Sequence, residues 1–153
     1  MSERRVEAVA WFQEKFRPFV EGQRLEVEER APGEFVVRLP QAAPWQRGGG
    51  GTDALNGGVI AYMFDGAMGG AVASAALARA DLDRFDLSRF GQVTVSLTIN
   101  YLSAALGDRF EAHGSVTKLG RGMAFAEGRF YDQSGELCAT ATGVWRLFLP
   151  RES

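Results

Sequence analysis

A single carboxylate stands near the middle of the most apolar segment of this chain. Residues 54–78 read ALNGGVIAYMFDGAMGGAVASAALA, and Asp65 is the only charged side chain among these 25 residues. An unpaired buried carboxylate is costly to desolvate unless it is partnered or neutralised. Asp65 is therefore a candidate catalytic group, or else it faces a wet groove and caps a neighbouring element.

The segment that carries Asp65 is long enough to span a bilayer. A charge near the centre of a membrane helix costs about 2.5–3.5 kcal/mol on insertion scales, and the flanks show no strong Lys/Arg asymmetry. The small residues Gly66, Gly69 and Gly70 suit a helix pressed closely against a sheet or another helix. We predict a central helix wrapped by the rest of the protein, and no membrane span.

Composition limits the remaining function classes. The 153 residues fit one domain, and 17 basic against 19 acidic residues leave a net charge of −2, so no basic surface points to nucleic acid. The single cysteine, Cys138, allows no intramolecular disulfide, and the N-terminus has no apolar run suited to a signal peptide. We expect a cytoplasmic location. With His113 as the only histidine, we expect no histidine-rich metal site.

The elements around the apolar segment follow from its flanking patterns. Residues 3–17 place apolar side chains at near-helical spacing and end at Pro18, which predicts an N-terminal helix with Val6, Val9, Ala10, Phe12 and Phe16 on one face. Alternating residues on either side of the turn 31–33 predict a β-hairpin. Residues 41–54, with four consecutive glycines at 48–51, predict a mobile loop before the central helix.

Four further strands are predicted after the central helix. In the first of them, Val93, Val95, Leu97, Ile99 and Tyr101 alternate with polar residues, which predicts one buried face. The links at 105–108, 119–122 and 132–135 are short, so consecutive strands should pair antiparallel. We predict an N-terminal helix in 1–19 and a single α+β domain in 20–150, with a six-stranded antiparallel sheet around the central helix.

The order and spacing of these segments resemble the hotdog-fold thioesterases, and within them the group similar to the phenylacetate-pathway thioesterase. The resemblance covers about residues 20–149 and is carried by the segments 56–59, Asp65, 93–102, 119–125 and 132–135. The family pattern has His-Gly-Gly, a carboxylate seven residues after the second glycine, and a long strand that ends in Tyr or Phe plus Leu. Asn56 stands where most members have His.

The resemblance implies hydrolysis of an acyl-CoA thioester at a site shared by two subunits of a homo-oligomer, a dimer or a dimer of dimers. The N–H groups of Gly57 and Gly58 lie in the first turn of the helix, where they could form an oxyanion hole. Asp65 follows Gly57 by eight residues, about 12 Å of helical rise, so a second chain must supply one partner. Asp65 would act as a general base or as a nucleophile.

Further site residues are assigned by the same resemblance. Thr94 matches a Ser or Thr that orients the water or the carboxylate, although it could also be an ordinary polar strand residue. Asn56 could hold the loop or donate its amide N–H to the carbonyl. The phosphates of CoA would meet Lys118, Arg121 and Gly122, with Arg47 a weaker candidate of the same kind.

The acyl group of the substrate cannot be assigned from the sequence, and no cofactor is expected beyond CoA as part of the substrate. Two other functions remain open: a non-catalytic hotdog module that binds acyl-CoA or another apolar ligand, and an enoyl-CoA hydratase that would need His113. The three tryptophans, Trp11, Trp45 and Trp145, are interpreted as structural, with Trp45 a candidate to line an acyl pocket.

Overall fold

One antiparallel sheet wraps a long helix and is preceded by a second helix, in a computed structural model that describes residues 3–48, 51–81 and 86–149. The elements are α1 (Glu3–Gly22), β1 (Glu26–Ala31), β2 (Glu34–Leu39), α2 (Gly57–Arg79), β3 (Gly91–Tyr101), β4 (Phe110–Leu119), β5 (Met123–Asp132) and β6 (Leu137–Phe148). The predicted α+β architecture, with its hairpin and its six strands around a central helix, is confirmed.

The strand order β1-β2-β4-β5-β6-β3 corrects one predicted pairing. The strand β3 lies at the sheet edge and pairs with β6, not with the next strand β4. The segment between β3 and β4 is not a hairpin turn, because the amides of Leu102 and Ser103 donate to the carbonyl of Cys138. Farther along, the carbonyl of Ala105 accepts from the amide of Leu55. These bonds carry the chain across the end of the sheet.

The central helix α2 is the core of the protein. It is long and apolar enough to cross a membrane by composition, but 72% of its most apolar 18-residue stretch is buried inside the protein. The sheet approaches closely because of glycines: a Cβ on Gly114 of β4 would overlap the backbone of Ala67. On the helix itself, the absent side chains of Gly66 and Gly70 make room for the rings of Phe19 and Phe35.

The N-terminal helix α1 runs past the predicted stop at Pro18 and ends at Gly22. Its last turn is anchored, because the ring of Phe19 stacks on Tyr62 at 4.2 Å and the Tyr62 hydroxyl donates to the Phe19 carbonyl at 2.9 Å. The predicted contact face is also partly wrong. Val6 is 50% exposed, whereas the face that meets the protein carries Trp11, Phe12, Phe16 and Phe19.

A β-bulge in β3 changes which of its side chains face α2. Thr94 pairs with Trp145 and Ser96 pairs with Val144, so Val95 is the extra residue. An extra residue reverses the alternation of side chains. Before the bulge the polar residues Gln92 and Thr94 contact α2, and after it the apolar residues Leu97 and Ile99 pack on the core. The predicted single apolar face of β3 is therefore wrong, and Val93 and Val95 are 50% and 57% exposed.

The loop before α2 is held by two polar side chains. Gln46 is buried, and its side chain accepts from the amide of Ala43 and donates to the carbonyl of Gln23. Arg47 donates to the carbonyl of Gly107 at 2.8 Å and to the carboxylate of Asp108 at 2.8 Å. Residues 49 and 50 of the predicted mobile loop lie outside the described residues.

Candidate active site

Asp65 and Thr94 meet at the interface between α2 and β3. The Thr94 hydroxyl donates to Asp65 Oδ1 at 2.6 Å, a short bond typical of a charged acceptor. Asp65 itself is half-buried, so part of its carboxylate remains accessible. The bulge at Val95 makes this contact possible, because it places Thr94 on the helix-facing side of the strand.

Tyr62 stands one turn before Asp65 and connects it to α1. Burial raises the pKa of the Tyr62 phenol, and the negative charge of Asp65 raises it further. The phenol therefore stays protonated and donates to the carbonyl of Phe19. Through this bond the last turn of α1 is fixed beside the carboxylate.

The start of α2 brings together Asn56, Gly57 and Gly58. Asn56 is the N-cap residue, and its side-chain oxygen accepts from the Gly58 amide at 2.7 Å, which is the usual capping contact for Asn. The Gly57 N–H has no acceptor among the residues that the structure describes. Its carbonyl accepts from the Tyr101 hydroxyl at 2.6 Å. Of the two predicted amide donors, the Gly58 N–H is therefore occupied by Asn56, and the Gly57 N–H remains available to a ligand.

A cavity of about 330 Å³ lies beside Asp65, between α1, α2 and β3. Asp65 and Thr94 form part of its polar lining, together with Lys15 and Gln92. The amide of Gln92 donates to the Gly69 carbonyl at 2.8 Å, and its Oε1 is the one buried side-chain oxygen or nitrogen without a partner among the described residues. Most of the remaining wall is aromatic.

The candidate CoA-binding residues lie elsewhere on the surface. Lys118 is exposed near the end of β4, and Arg121 and Gly122 are exposed in the turn that follows it. That turn is held by Arg79 at the end of α2, whose guanidinium donates to the carbonyls of Leu119 and Gly120. Arg47 is bonded to Gly107 and Asp108, so a phosphate would have to compete with those partners.

His113 points away from the Asp65 cavity. It lies on the outer side of the sheet, where its Nε2 is 2.8 Å from Glu111 Oε2 and its ring meets Tyr131 edge-on. Burial raises the pKa of Glu111, but hydrogen bonds from His113 and Arg38 outweigh burial and hold that pKa below its ordinary value. Within the described part of the chain, no group of three or more His, Cys, Asp and Glu side chains could hold a metal ion.

Sequence reasoning missed several residues of this site. Trp11 and Trp145, interpreted as structural, line the cavity, whereas Trp45 does not and is 56% exposed. Gln92 was not predicted as a site residue, because the alternation of β3 assigned its polar side chain to the solvent-facing side of the strand. The helical spacing of the aromatic residues at 11, 12, 16 and 19 was the available signal, and it extends across Pro18.

Comparisons with known proteins identify the family of this chain. The family model described as "Thioesterase superfamily" matches residues 53–139, which include Asn56, Asp65 and Thr94. A Saccharolobus solfataricus protein with the name "Putative esterase" is 32% identical over 115 residues, covering 75% of this chain and 72% of that protein. A Pseudomonas aeruginosa protein with the same name is 47% identical over 57 residues, covering 36% of this chain and only 41% of that protein.

Solved structures share the fold. The PaaI protein of the Escherichia coli phenylacetic acid degradation operon superposes with a TM-score of 0.73 at 18% identity, covering 95% of this chain and 99% of that one. A Bacillus halodurans protein solved with CoA superposes with a TM-score of 0.68 at 24% identity, covering 97% and 91%. These likenesses show the fold, and the family match over residues 53–139 shows the family. The chain belongs to the thioesterase superfamily and has the fold of the hotdog thioesterases.

Proposed function

We propose that the protein hydrolyses an acyl-CoA thioester to a free acid and CoA. The observation that carries the proposal is the 2.6 Å bond from Thr94 to Asp65 beside a largely aromatic cavity. A carboxylate oriented by a hydroxyl next to apolar space can act on the carbonyl of an acyl group held there. The CoA bound to the Bacillus halodurans protein of the same fold supports CoA as the thiol part.

Asp65 is the general base or the nucleophile of this reaction. As a base it takes a proton from water, the water oxygen attacks the thioester carbonyl carbon, and the tetrahedral intermediate expels the CoA thiolate. As a nucleophile its carboxylate oxygen attacks the same carbon, the thiolate leaves, and water then hydrolyses the mixed anhydride. In both routes Thr94 orients the carboxylate.

The oxyanion that develops on the carbonyl needs a preorganised donor. We assign this role to the Gly57 N–H, because it lies at the positive end of α2 and has no acceptor among the described residues. Loss of one such donor typically raises the barrier by about 2.7–4 kcal/mol. Gly58 is the weaker candidate, since Asn56 already accepts its N–H.

A second copy of the chain completes the site. Gly57 and Asp65 are separated by about 12 Å along α2, too far to act on one carbon within one chain. The edge strand β3 offers the contact surface, because it contains no charged residue. The opposite edge, β1, has the sequence EVEERA, and charged side chains protect a sheet edge from pairing. We therefore propose a homodimer through β3, as the minimum of a dimer or a dimer of dimers.

The nucleotide end of CoA is proposed to lie at the turn that carries Lys118, Arg121 and Gly122. The two cations are exposed and have no carboxylate partner among the described residues, so they are available for charge-assisted bonds to phosphate. Arg47 is the weaker candidate because it holds Asp108 and Gly107.

The second candidate function is a non-catalytic module that binds acyl-CoA. The capping bond from Gly58 to Asn56 favours it, because one of the two predicted oxyanion donors is occupied and Asn56 cannot exchange protons as a histidine could. A hydratase has no such support, since His113 lies on the outer side of the sheet beside Glu111.

The deciding experiment measures thiol release from short, long and aryl acyl-CoAs by the parent protein and by Asp65→Asn. We expect release by the parent and a loss of 10²-fold or more in Asp65→Asn, the scale of a general acid–base contribution. Glu127→Gln, which removes an exposed carboxylate on the outer side of β5, is the matched control. Binding without release by the parent would favour the binding module, and full activity of Asp65→Asn would overturn the assigned role.

A further inference from the structure

We propose that α1 is the acyl-binding wall of the Asp65 site and that Trp11 selects which apolar acyl groups the site accepts. The inference rests on the proposed function for the identity of the ligand, a thioester with an uncharged apolar acyl group. It assigns a task to a helix that otherwise lies outside the sheet-wrapped core.

The face of α1 that meets the protein is an aromatic stripe. Trp11, Phe12, Phe16 and Phe19 recur at helical spacing and span nine residues, about 12 Å of helical rise. Stacking of Phe19 on Tyr62 fixes one end of the stripe, and the edge contact of Trp11 with Phe90, at 5.8 Å between centroids, fixes the other. The helix is therefore held at both ends of the cavity.

The space under the stripe exists because α2 has small residues there. At Gly66 the two helices touch, since a Cβ would overlap the ring of Phe19. One turn later, at Gly69, the nearest atoms belong to Gln92 and Trp145, which are not part of α1. The cavity then continues to Ala73, so it follows α2 for eight residues from Asp65, again about 12 Å.

The walls and volume of this cavity define the class of ligand. Its aromatic lining consists of Trp11, Phe12, Phe16, Phe19, Phe90 and Trp145. A volume of about 330 Å³ equals roughly eleven water molecules at ~30 Å³ each, and a methylene group is of similar size. The cavity is partly open to solvent, and its volume admits an apolar acyl group of at most about ten carbons. Its carbonyl would stay at Asp65 and Thr94 while its tail lies beneath α1.

Trp11 is the residue that tests this assignment most cleanly. Among the described residues its one ring contact is with Phe90, at the far end of the stripe from Phe19. Phe12 and Phe16 each contact Phe35, so α1 stays docked when Trp11 is truncated. Val6, half-exposed on the same helix and outside the cavity lining, provides the matched control.

The experiment measures dissociation constants of even-numbered acyl-CoAs from acetyl to dodecanoyl by calorimetry, in the Asp65→Asn protein so that no hydrolysis intervenes. Each buried methylene is expected to tighten binding about fourfold until the chain reaches roughly ten carbons. Adding Trp11→Ala should weaken octanoyl-CoA at least tenfold and leave acetyl-CoA within about twofold. Val6→Ala should change neither, and Trp11→Phe should restore part of the lost octanoyl-CoA affinity.

The outcomes separate this inference from the proposed function. Affinity that does not depend on chain length, or an octanoyl-CoA affinity that Trp11→Ala leaves intact, overturns the inference even if the parent hydrolyses thioesters. A length-dependent affinity that Trp11→Ala abolishes supports it even if no thioester is hydrolysed. Equal weakening of acetyl-CoA and octanoyl-CoA by Trp11→Ala means general damage to the site and also counts against acyl selection.

Discussion

Replacement of Thr94 by valine removes one hydrogen bond and almost no volume. The hydroxyl of Thr94 is 2.6 Å from Asp65 Oδ1, and it is the one side-chain hydrogen bond to that carboxylate in the described part of the chain. A hydrogen bond to a charged group is worth about 1.5–3 kcal/mol. Because Thr94 is exposed in the single chain, we take the lower end of this range, about 1.5 kcal/mol, which corresponds to roughly tenfold in rate.

Thr94→Val is therefore expected to lower kcat about tenfold and to leave KM within about twofold, because the lost bond orients the reacting carboxylate and does not hold the substrate. The assay is steady-state thiol release from the best acyl-CoA of the panel, together with the thermal unfolding midpoint. Valine favours strands at least as well as threonine, so the midpoint should fall by no more than the few degrees that the loss of one hydrogen bond accounts for.

Two control variants separate orientation from strand damage. Thr94→Ser keeps the hydroxyl and should keep most of kcat, whereas Thr98→Val makes the same chemical change on the outward side of β3 and should be neutral. The reasoning is refuted if Thr94→Val retains full kcat, or if Thr98→Val loses as much activity as Thr94→Val.

Two further predictions concern stability. Gly114→Ala should destabilise the protein by about 1–3 kcal/mol, because its Cβ would press on the backbone of α2, whereas Gly122→Ala, with no atom within 4 Å of its Cβ, should be close to neutral. Urea unfolding measures both variants, and equal stability would contradict the close approach of helix and sheet. The pKa of Glu111 is lower in the folded protein than its ordinary value, so ionised Glu111 stabilises the fold above the ordinary carboxyl pKa. This stabilisation is lost as the pH falls through the lower pKa of the folded state. Glu111→Gln should therefore lose less unfolding free energy than the parent between pH 7 and about pH 3.5, and parallel pH curves would refute this linkage.

The central helix and its carboxylate could be predicted from sequence because both follow from local composition. An apolar run with one charge cannot be a surface helix, and the glycines beside Asp65 indicate close packing. The strands after the helix were likewise predictable from their alternation. Which strands pair was not predictable in full, because the link after β3 is directed across the sheet end by bonds to residues far from it in the chain, among them Cys138 and Leu55.

The bulge at Val95 shows why an alternating pattern can identify a strand correctly and still assign the site residues to the wrong face. One extra residue places Gln92 and Thr94 on the side of β3 that faces the helix, although apolar and polar residues alternate without interruption in the sequence of the strand. The N-terminal helix was misjudged for a related reason. Pro18 removes a single backbone donor, and the stacking of Phe19 on Tyr62 holds the turn beyond it.

The amino-acid sequence by itself determined the helix that carries Asp65, the six strands around it and the glycines at the helix start, because each depends on residues close together in the chain. Only the tertiary structure decided that Thr94 binds Asp65, that Asn56 occupies the amide of Gly58, and that α1 closes an aromatic cavity over Gly69. Contacts between residues distant in the chain depend on strand register and on how helices dock, and neither is encoded by any single segment.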